Sequence, residues 1–280
     1  MKLIECPRDA MQGLVHFVPT DLKIRYLNAL LQVGFDTLDF GSFVSSKAIP
    51  QMRDTADVLA GLHLFKTKTK LLAIVANVRG AEQAIAYEQI NYVGFPLSVS
   101  ETFQQRNTNK SIEQAFAELA EIQNLCLRSK KELVVYLSMG FGNPYGDPYS
   151  PDLIGEFTAR LSQIGINIVA PSDTVGTSTP ESIGHLFRRL IPAFPQIEFG
   201  AHLHARPGEA PDKVRAAVRA GVQRVDGALR GFGGCPMAAD ALTGNLPTEE
   251  IIDTLVSEKI PVAINQEAFQ KALTLSAGVF

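Results

Sequence analysis

The chain has 280 residues, 46% of them hydrophobic and 20% charged, and 26 Lys+Arg against 29 Asp+Glu give a formal net charge of −3. No positive excess exists to neutralise a phosphate backbone, which excludes nucleic-acid binding by bulk electrostatics. This much apolar material excludes general disorder.

Taken along the chain, short runs rich in Val, Ile and Leu predict strands over Lys2–Cys6, Phe35–Gly41, Lys70–Asn77, Tyr92–Ser98, Glu132–Met139, Ile166–Ser172, Ile197–His204 and Arg224–Leu229. Runs that are apolar on both sides fit parallel strands buried on both faces. Between them, amphipathic stretches predict helices over Asp21–Val33, Ile112–Ser129, Pro151–Gln163, Pro180–Phe194 and Ala210–Ala220. Ser111-Ile-Glu-Gln114 has the form of a capping box. Thr179-Pro180-Glu181 supplies an N-cap, a proline at the first helical position and an acid in the first turn. No Pro/Gly/Ser-rich linker divides the chain. The alternation predicts one (β/α)8 TIM barrel over residues 1–280, with a C-terminal helical segment from about 247. A doubly wound open sheet is the competing architecture, but no Gly-rich phosphate loop follows the first strand.

The start, Met1-Lys-Leu-Ile-Glu-Cys-Pro-Arg8, shows no signal- or transit-peptide pattern and reads as a strand at once, which points to a cytoplasmic form. No apolar run reaches the roughly 18 residues of a membrane span. Three cysteines, Cys6, Cys126 and Cys235, are an odd and sparse set, so reduced thiols inside a cell are expected rather than disulfides.

In a barrel of this kind the active site lies at the C-terminal ends of the strands. Strand one ends in Arg8-Asp9, which is either a structural ion pair or a fixed cation beside a carboxylate at the mouth. Asp39 stands at the end of strand two and Asp173 at the end of strand six. Each could cap a loop, but carboxylates converging on one mouth repel unless a cation sits among them. Strand seven carries His202-Leu-His204. Residues i and i+2 of a strand face the same way, so both imidazoles can project together. A lone strand histidine is more often a core residue; the pair at a catalytic end, with a carboxylate, suits a divalent metal. After strand eight, Gly231-Phe-Gly-Gly-Cys235-Pro236 makes a loop that glycine lets close over a ligand, with Cys235 either an acid/base or nucleophile or a plain turn residue. Cys6 reads as interior packing and Cys126 as a helix-face residue; His16, His63 and His185 stand outside these groups.

Glu5-x-x-Arg8-Asp9-x-x-Gln12, Ser42-Phe-Val-Ser45, Ser100-Glu-x-Phe103, Asn107 with Ser111-Ile-Glu113, Asp173-Thr-x-Gly176, His202-x-His204 and Gly231-x-Gly-Gly-Cys-Pro236 occur in that order. Together they resemble the 3-hydroxy-3-methylglutaryl-CoA (HMG-CoA) lyase family, within the metal-dependent lyase and Claisen-condensing TIM barrels. The resemblance implies cleavage of HMG-CoA to acetyl-CoA and acetoacetate. It implies Mg²⁺ or Mn²⁺ held by Asp9, His202, His204 and Asn245, and Arg8 stabilising enolate charge. Asp39 and Asp173 would assist positioning and proton transfer, and Cys235 would be the loop acid/base. Arg8, Gln12, Ser42 and Gly233 would meet an acyl-CoA substrate. A homodimer and a place in leucine catabolism are further implications. The chain departs from the family at Ala10, where glycine is usual, and at Ala205-Arg206, where the strand-seven motif usually continues Asp-Thr. A same-superfamily aldolase or acyl-CoA condensing enzyme, and a non-catalytic metal- or acyl-CoA-binding barrel, are the other readings.

Overall fold

A computed structural model of the chain describes residues 1–234 and 243–280. Its strands are β1 (Lys2–Glu5), β2 (Thr37–Ser42), β3 (Lys70–Ile74), β4 (Ile90–Ser98), β5 (Glu132–Ser138), β6 (Ile168–Pro171), β7 (Glu198–Ala201), β8 (His204–Ala205), β9 (Arg224–Gly227) and β10 (Gly244–Asn245). The helices are α1 (Pro7–Gln12), α2 (Thr20–Leu30), α3 (Thr55–Ala60), α4 (Val78–Ile85), α5 (Glu101–Thr108), α6 (Ile112–Arg128), α7 (Pro151–Gln163), α8 (Pro180–Ala193), α9 (Ala210–Arg219), α10 (Thr248–Ser257) and α11 (Gln266–Ser276). The strands β1 to β7 and β9 pair in parallel, in sequence order, and β9 closes on β1. The expected TIM barrel is therefore what the chain forms.

Apolar residues fill two layers. Leu72, Ile74, Tyr92, Val134, Tyr136, Ile168 and Ala170 pack inside the barrel, while a larger shell joins the outer strand faces to the helices. The helix starts follow the chemistry read in sequence. Ser111 and Gln114 form a reciprocal capping box on α6, and Thr179 and Ser182 form one on α8. Two helices follow β10, and α11 packs on α2. Buried Glu5 ties the closing seam together, its carboxylate accepting from the Leu229 amide at 2.9 Å and the Thr248 hydroxyl at 2.5 Å. Burial outweighs those bonds and pushes its pKa up to about 8. Among the described residues no helix is long and apolar enough to cross a membrane.

One strand differs from expectation. The seventh does not run through to His204: β7 stops at Ala201, with a single further bridge between Ser172 and His202. His204–Ala205 then leaves the barrel and pairs antiparallel with Gly244–Asn245, placing His204 opposite Asn245. His204 thus pairs with a strand some forty residues ahead rather than in the barrel wall, and its carbonyl also accepts from Lys213 Nζ at 2.7 Å.

Candidate active site

After β1 the chain does not continue as a loop but turns directly into α1, with Pro7 at its first position. Helical spacing sets Gln12 beside both Arg8 and Asp9. Arg8 Nη1 donates to Asp9 Oδ1 at 3.0 Å and Gln12 Oε1 at 2.8 Å, and Gln12 Nε2 donates to Asp9 Oδ1 at 2.8 Å. The other edge of the guanidinium reaches Asp39 on β2, with Nε at 3.0 Å and Nη2 at 2.5 Å from Oδ2. One buried cation thus serves two buried carboxylates, in charge-assisted geometry. Burial pushes the Asp39 carboxyl up to about 6, more than Arg8 pulls it down. Burial pushes Asp9 the same way, but there Arg8, His202, His204 and the Asn245 amide prevail and hold it below its ordinary range.

The two imidazoles meet this acid from the far side of the mouth. Their ring centroids are 5.4 Å apart, and Asp9, His202 and His204 offer donor atoms within 4.8 Å of one another. Each ring is fixed by its Nδ1. His204 Nδ1 lies 3.1 Å from the carbonyl oxygen of Thr174, which can only accept, so the ring proton sits on Nδ1. That leaves a lone pair on Nε2, which is buried and has no hydrogen-bond partner. Burial, then the neighbouring His202, lowers the His204 pKa to about 4, so this ring is neutral at pH 7. His202 Nδ1 lies 3.2 Å from Asp226 Oδ2 on β9. Burial lowers His202, but Asp226 and Asp9 more than offset it and keep the ring above its ordinary value. A buried, unspent imidazole nitrogen beside an ionised carboxylate is costly unless a cation is to lie between them. The donor set therefore fits a divalent metal.

Asn245 closes the group. Its Nδ2 donates to Asp9 Oδ2 at 2.7 Å and to the Phe232 carbonyl at 2.8 Å, which leaves Oδ1 as the atom of that side chain with ligand chemistry. The same contact pins the start of the glycine-rich loop. Gly233 has φ +88°, and a Cβ there would stand 2.7 Å from Ala10 Cα and 2.8 Å from both Asn245 Nδ2 and Asp9 O. Glycine is required because the loop backbone lies directly on α1.

Above these residues opens a cavity of about 300 Å³. Arg8, Asp9, Gln12, His202, His204, Asn107 and Ser138 give it polar lining, and Ile49, Ile74, Pro96 and Phe103 supply apolar wall. Of the described residues expected at the site, Asp39, Gly233 and Asn245 stand behind the lining, against Arg8 and Asp9, and Asp173 and Ser42 are turned elsewhere. Ser172 and Thr174 line the cavity, and Asp173 between them turns the other way. It accepts from the Thr177 amide at 2.8 Å, the Ser178 amide at 3.0 Å and the Ser178 hydroxyl at 2.5 Å, and it pairs with Lys213 at 3.3 Å. With both oxygens so occupied, its chemistry here is to hold the loop after β6. The hydroxyl of Ser42 is engaged with Ile74 O and the Val44 amide, and it faces a separate groove beside α4. Cys235 lies outside the described residues. Asp226, by contrast, was not singled out in the sequence; alternation along the last strand, next to the histidine strand, was the available signal.

The sequence from residue 3 to 275 matches the HMGL-like family. The chain is 32% identical over 253 residues to the cytoplasmic 3-hydroxy-3-methylglutaryl-CoA lyase of Rattus norvegicus, covering 90% of this chain and 73% of that one. It is 31% identical over 275 residues to the mitochondrial hydroxymethylglutaryl-CoA lyase of Mus musculus, covering 97% and 83%. Among solved structures, the HMG-CoA lyase of Brucella melitensis superposes with a TM-score of 0.92 at 26% identity, over 99% of this chain and 98% of that one. An HMG-CoA lyase of Acinetobacter baumannii, in complex with coenzyme A and 3-methylmalate, gives 0.90 at 29% identity, over 99% and 90%.

Proposed function

The chain belongs to the HMGL-like family and is a carbon–carbon lyase, and from that premise we propose that it cleaves HMG-CoA to acetyl-CoA and acetoacetate with Mg²⁺ or Mn²⁺. The observation that carries the reading is the convergence of Asp9, His202 and His204 at the foot of the cavity, with the Nε2 lone pair of His204 unspent. Those three residues and Asn245 Oδ1 would hold the ion. When bound, it draws electron density from the substrate's tertiary hydroxyl and lowers that hydroxyl's pKa.

The rest of the work falls to the protein's own groups. Cleavage must take the hydroxyl proton, break the C2–C3 bond and leave the electron pair on the acetyl-CoA carbon as an enolate. Arg8, oriented by Asp9, Gln12 and Asp39, which take four of its five N–H groups, would turn its charge and the remaining Nη2 N–H to the thioester oxygen as that becomes negative. Such preorganised donors are worth a few kcal/mol of barrier each. Asp39, with its pKa near 6, is ionised at pH 7 yet basic enough to take part in proton transfer. Cys235 is assigned from the resemblance the return of a proton to the enolate carbon. The cavity of about 300 Å³ takes the acyl head, so the CoA moiety would lie across the mouth. With this substrate the enzyme serves leucine breakdown.

The lost acid after His204 is the ground for a non-catalytic reading. The structure gives both rings an Nδ1 partner from elsewhere, Asp226 and the Thr174 carbonyl, which supports the catalytic one. Ala205-Arg206, where the family usually reads Asp-Thr, is the ground for a different substrate within the same enzyme class. The test is direct. Mn²⁺-loaded protein given HMG-CoA is expected to release acetoacetate, and chelation to stop it. No acetoacetate with any divalent ion, but turnover of a 2-oxo acid with or without acetyl-CoA, would overturn the substrate while keeping the enzyme class.

A further inference from the structure

Beneath the triad the barrel carries a thiol and a carboxylate oxygen for which the lyase chemistry has no use. Cys6 follows β1, and Asp226 stands on β9, where it pairs in register with Ile4 of β1. His202 reaches between them from the end of β7. The thiol of Cys6 is free and 1% exposed, and Asp226 is 2% exposed. A sulfur, a nitrogen and an oxygen from these residues lie within 4.8 Å of one another. Asp226 Oδ1 is buried without a hydrogen-bond partner, so this cluster holds an unspent acceptor of its own. Burial, and then the nearby carboxylates of Asp226, Asp39 and Asp9, push the Cys6 thiol up. The same negative field favours a cation.

We propose that Cys6, His202 and Asp226 form a second cation site, selective for thiophilic ions of the Zn²⁺ class, and that it excludes the ion held by Asp9, His202 and His204. This goes beyond the lyase reading and does not depend on the substrate.

Thiolate, imidazole and carboxylate with one water make a tetrahedral set for Zn²⁺, whereas Mg²⁺ takes oxygen. At bond lengths of about 2.0–2.3 Å, tetrahedral ligands stand roughly 3.3–3.8 Å apart, so closure asks for side-chain shifts on the order of 1 Å. Binding replaces the Cys6 thiol proton with the ion, and the proton leaves to solvent. Exclusion follows from the shared ring, since an imidazole offers one in-plane lone pair while its other nitrogen keeps a proton, so His202 serves one ion at a time. Ligation in the upper group uses Nε2 and keeps the proton on Nδ1, facing Asp226 at 3.2 Å. Ligation from below uses Nδ1 and moves the proton to Nε2, which then cannot bind the upper ion. His202 lines the cavity and is the point of entry.

Cd²⁺ is the probe. It is titrated into chelator-treated Cys235→Ser protein, which lacks the loop thiol, while the cadmium–thiolate charge-transfer band is followed in the ultraviolet. The band is expected to saturate at one equivalent, to be absent in Cys6→Ser/Cys235→Ser, and to disappear as excess Mn²⁺ claims His202. A band that survives loss of Cys6, no band in Cys235→Ser, or a band unaffected by bound Mn²⁺ overturns the proposal. Cys6→Ala is made in parallel, with circular dichroism to establish folding. X-ray absorption of Zn²⁺-loaded Cys235→Ser needs no Cys6 variant: one sulfur neighbour at about 2.3 Å is expected, and a shell of nitrogen and oxygen alone refutes the site.

Discussion

Replacing Gly233 with alanine tests whether the glycine-rich loop supports the ligand group. Two penalties combine at this position and can be separated. The first is the left-handed backbone, φ +88°, which costs a residue with a Cβ about 1–2 kcal/mol. The second is steric. The new Cβ would approach Ala10 Cα, Asn245 Nδ2 and Asp9 O to 2.7–2.8 Å, where ordinary contact begins near 3.4 Å, and two of those atoms are backbone. Overpacking of that kind costs about 1–3 kcal/mol. Gly146 is the control: its φ is +77° and a Cβ there would meet nothing within 4 Å. At about 2–4 °C per kcal/mol, Gly146→Ala is expected to lower Tm by a few degrees, and Gly233→Ala by about twice as much. Relief of the overlap lifts Phe232 and Gly233 off α1, and Asn245 then loses the acceptor it holds at 2.8 Å. One hydrogen bond of about 1 kcal/mol corresponds to a roughly fivefold weaker Mn²⁺ affinity, which Gly146→Ala does not share. Thermal unfolding and Mn²⁺ titration of both variants give the comparison. Equal Tm losses together with an unchanged Mn²⁺ Kd in Gly233→Ala would refute the reasoning.

Asp226→Asn removes the charge that holds the His202 proton on Nδ1, and the amide can instead donate to Nδ1 and leave the proton on Nε2; Mn²⁺ affinity is expected to fall about 10–100-fold, as measured by titration. Wild-type affinity in that variant would remove Asp226 from the site. Glu5 gives a pH signature of stability. Its folded pKa of about 8 lies above the ordinary 4.5, so its contribution is fully present below that value and is lost as pH rises toward 8, by a few kcal/mol. Glu5→Gln is expected to flatten Tm across that range; the same slope in both proteins would contradict a raised Glu5 pKa.

The barrel was legible because its strands are buried on both faces and its helices carry their caps in sequence: Ser111 with Gln114 and Thr179 with Pro180 sit where the helices begin. The Arg8–Asp9–Asp39 group and the histidine pair were legible from residue type at strand ends. What was not legible depends on partners distant in sequence or on the facing of one residue. His204 leaves the barrel wall because Asn245, far along the chain, completes its ladder. Asp173 falls between two cavity-lining neighbours, so position at a strand end was right while direction was not. Asp226 was hidden for the opposite reason: an acid inside an apolar run signals a partner without naming it, and the partner is on the adjacent strand.

The short ladder between His204–Ala205 and Gly244–Asn245 also bears on how this loop can change over time. It fixes the far end of the segment that carries Cys235, while Asn245 and α1 hold the near end at Phe232 and Gly233. A stretch tethered at both ends pays little for an added residue, because closure entropy grows only with the logarithm of length. Added length between Gly233 and the ladder can therefore be accommodated while the ion-binding residues keep their places. Loop length and metal retention are, in this architecture, separately adjustable.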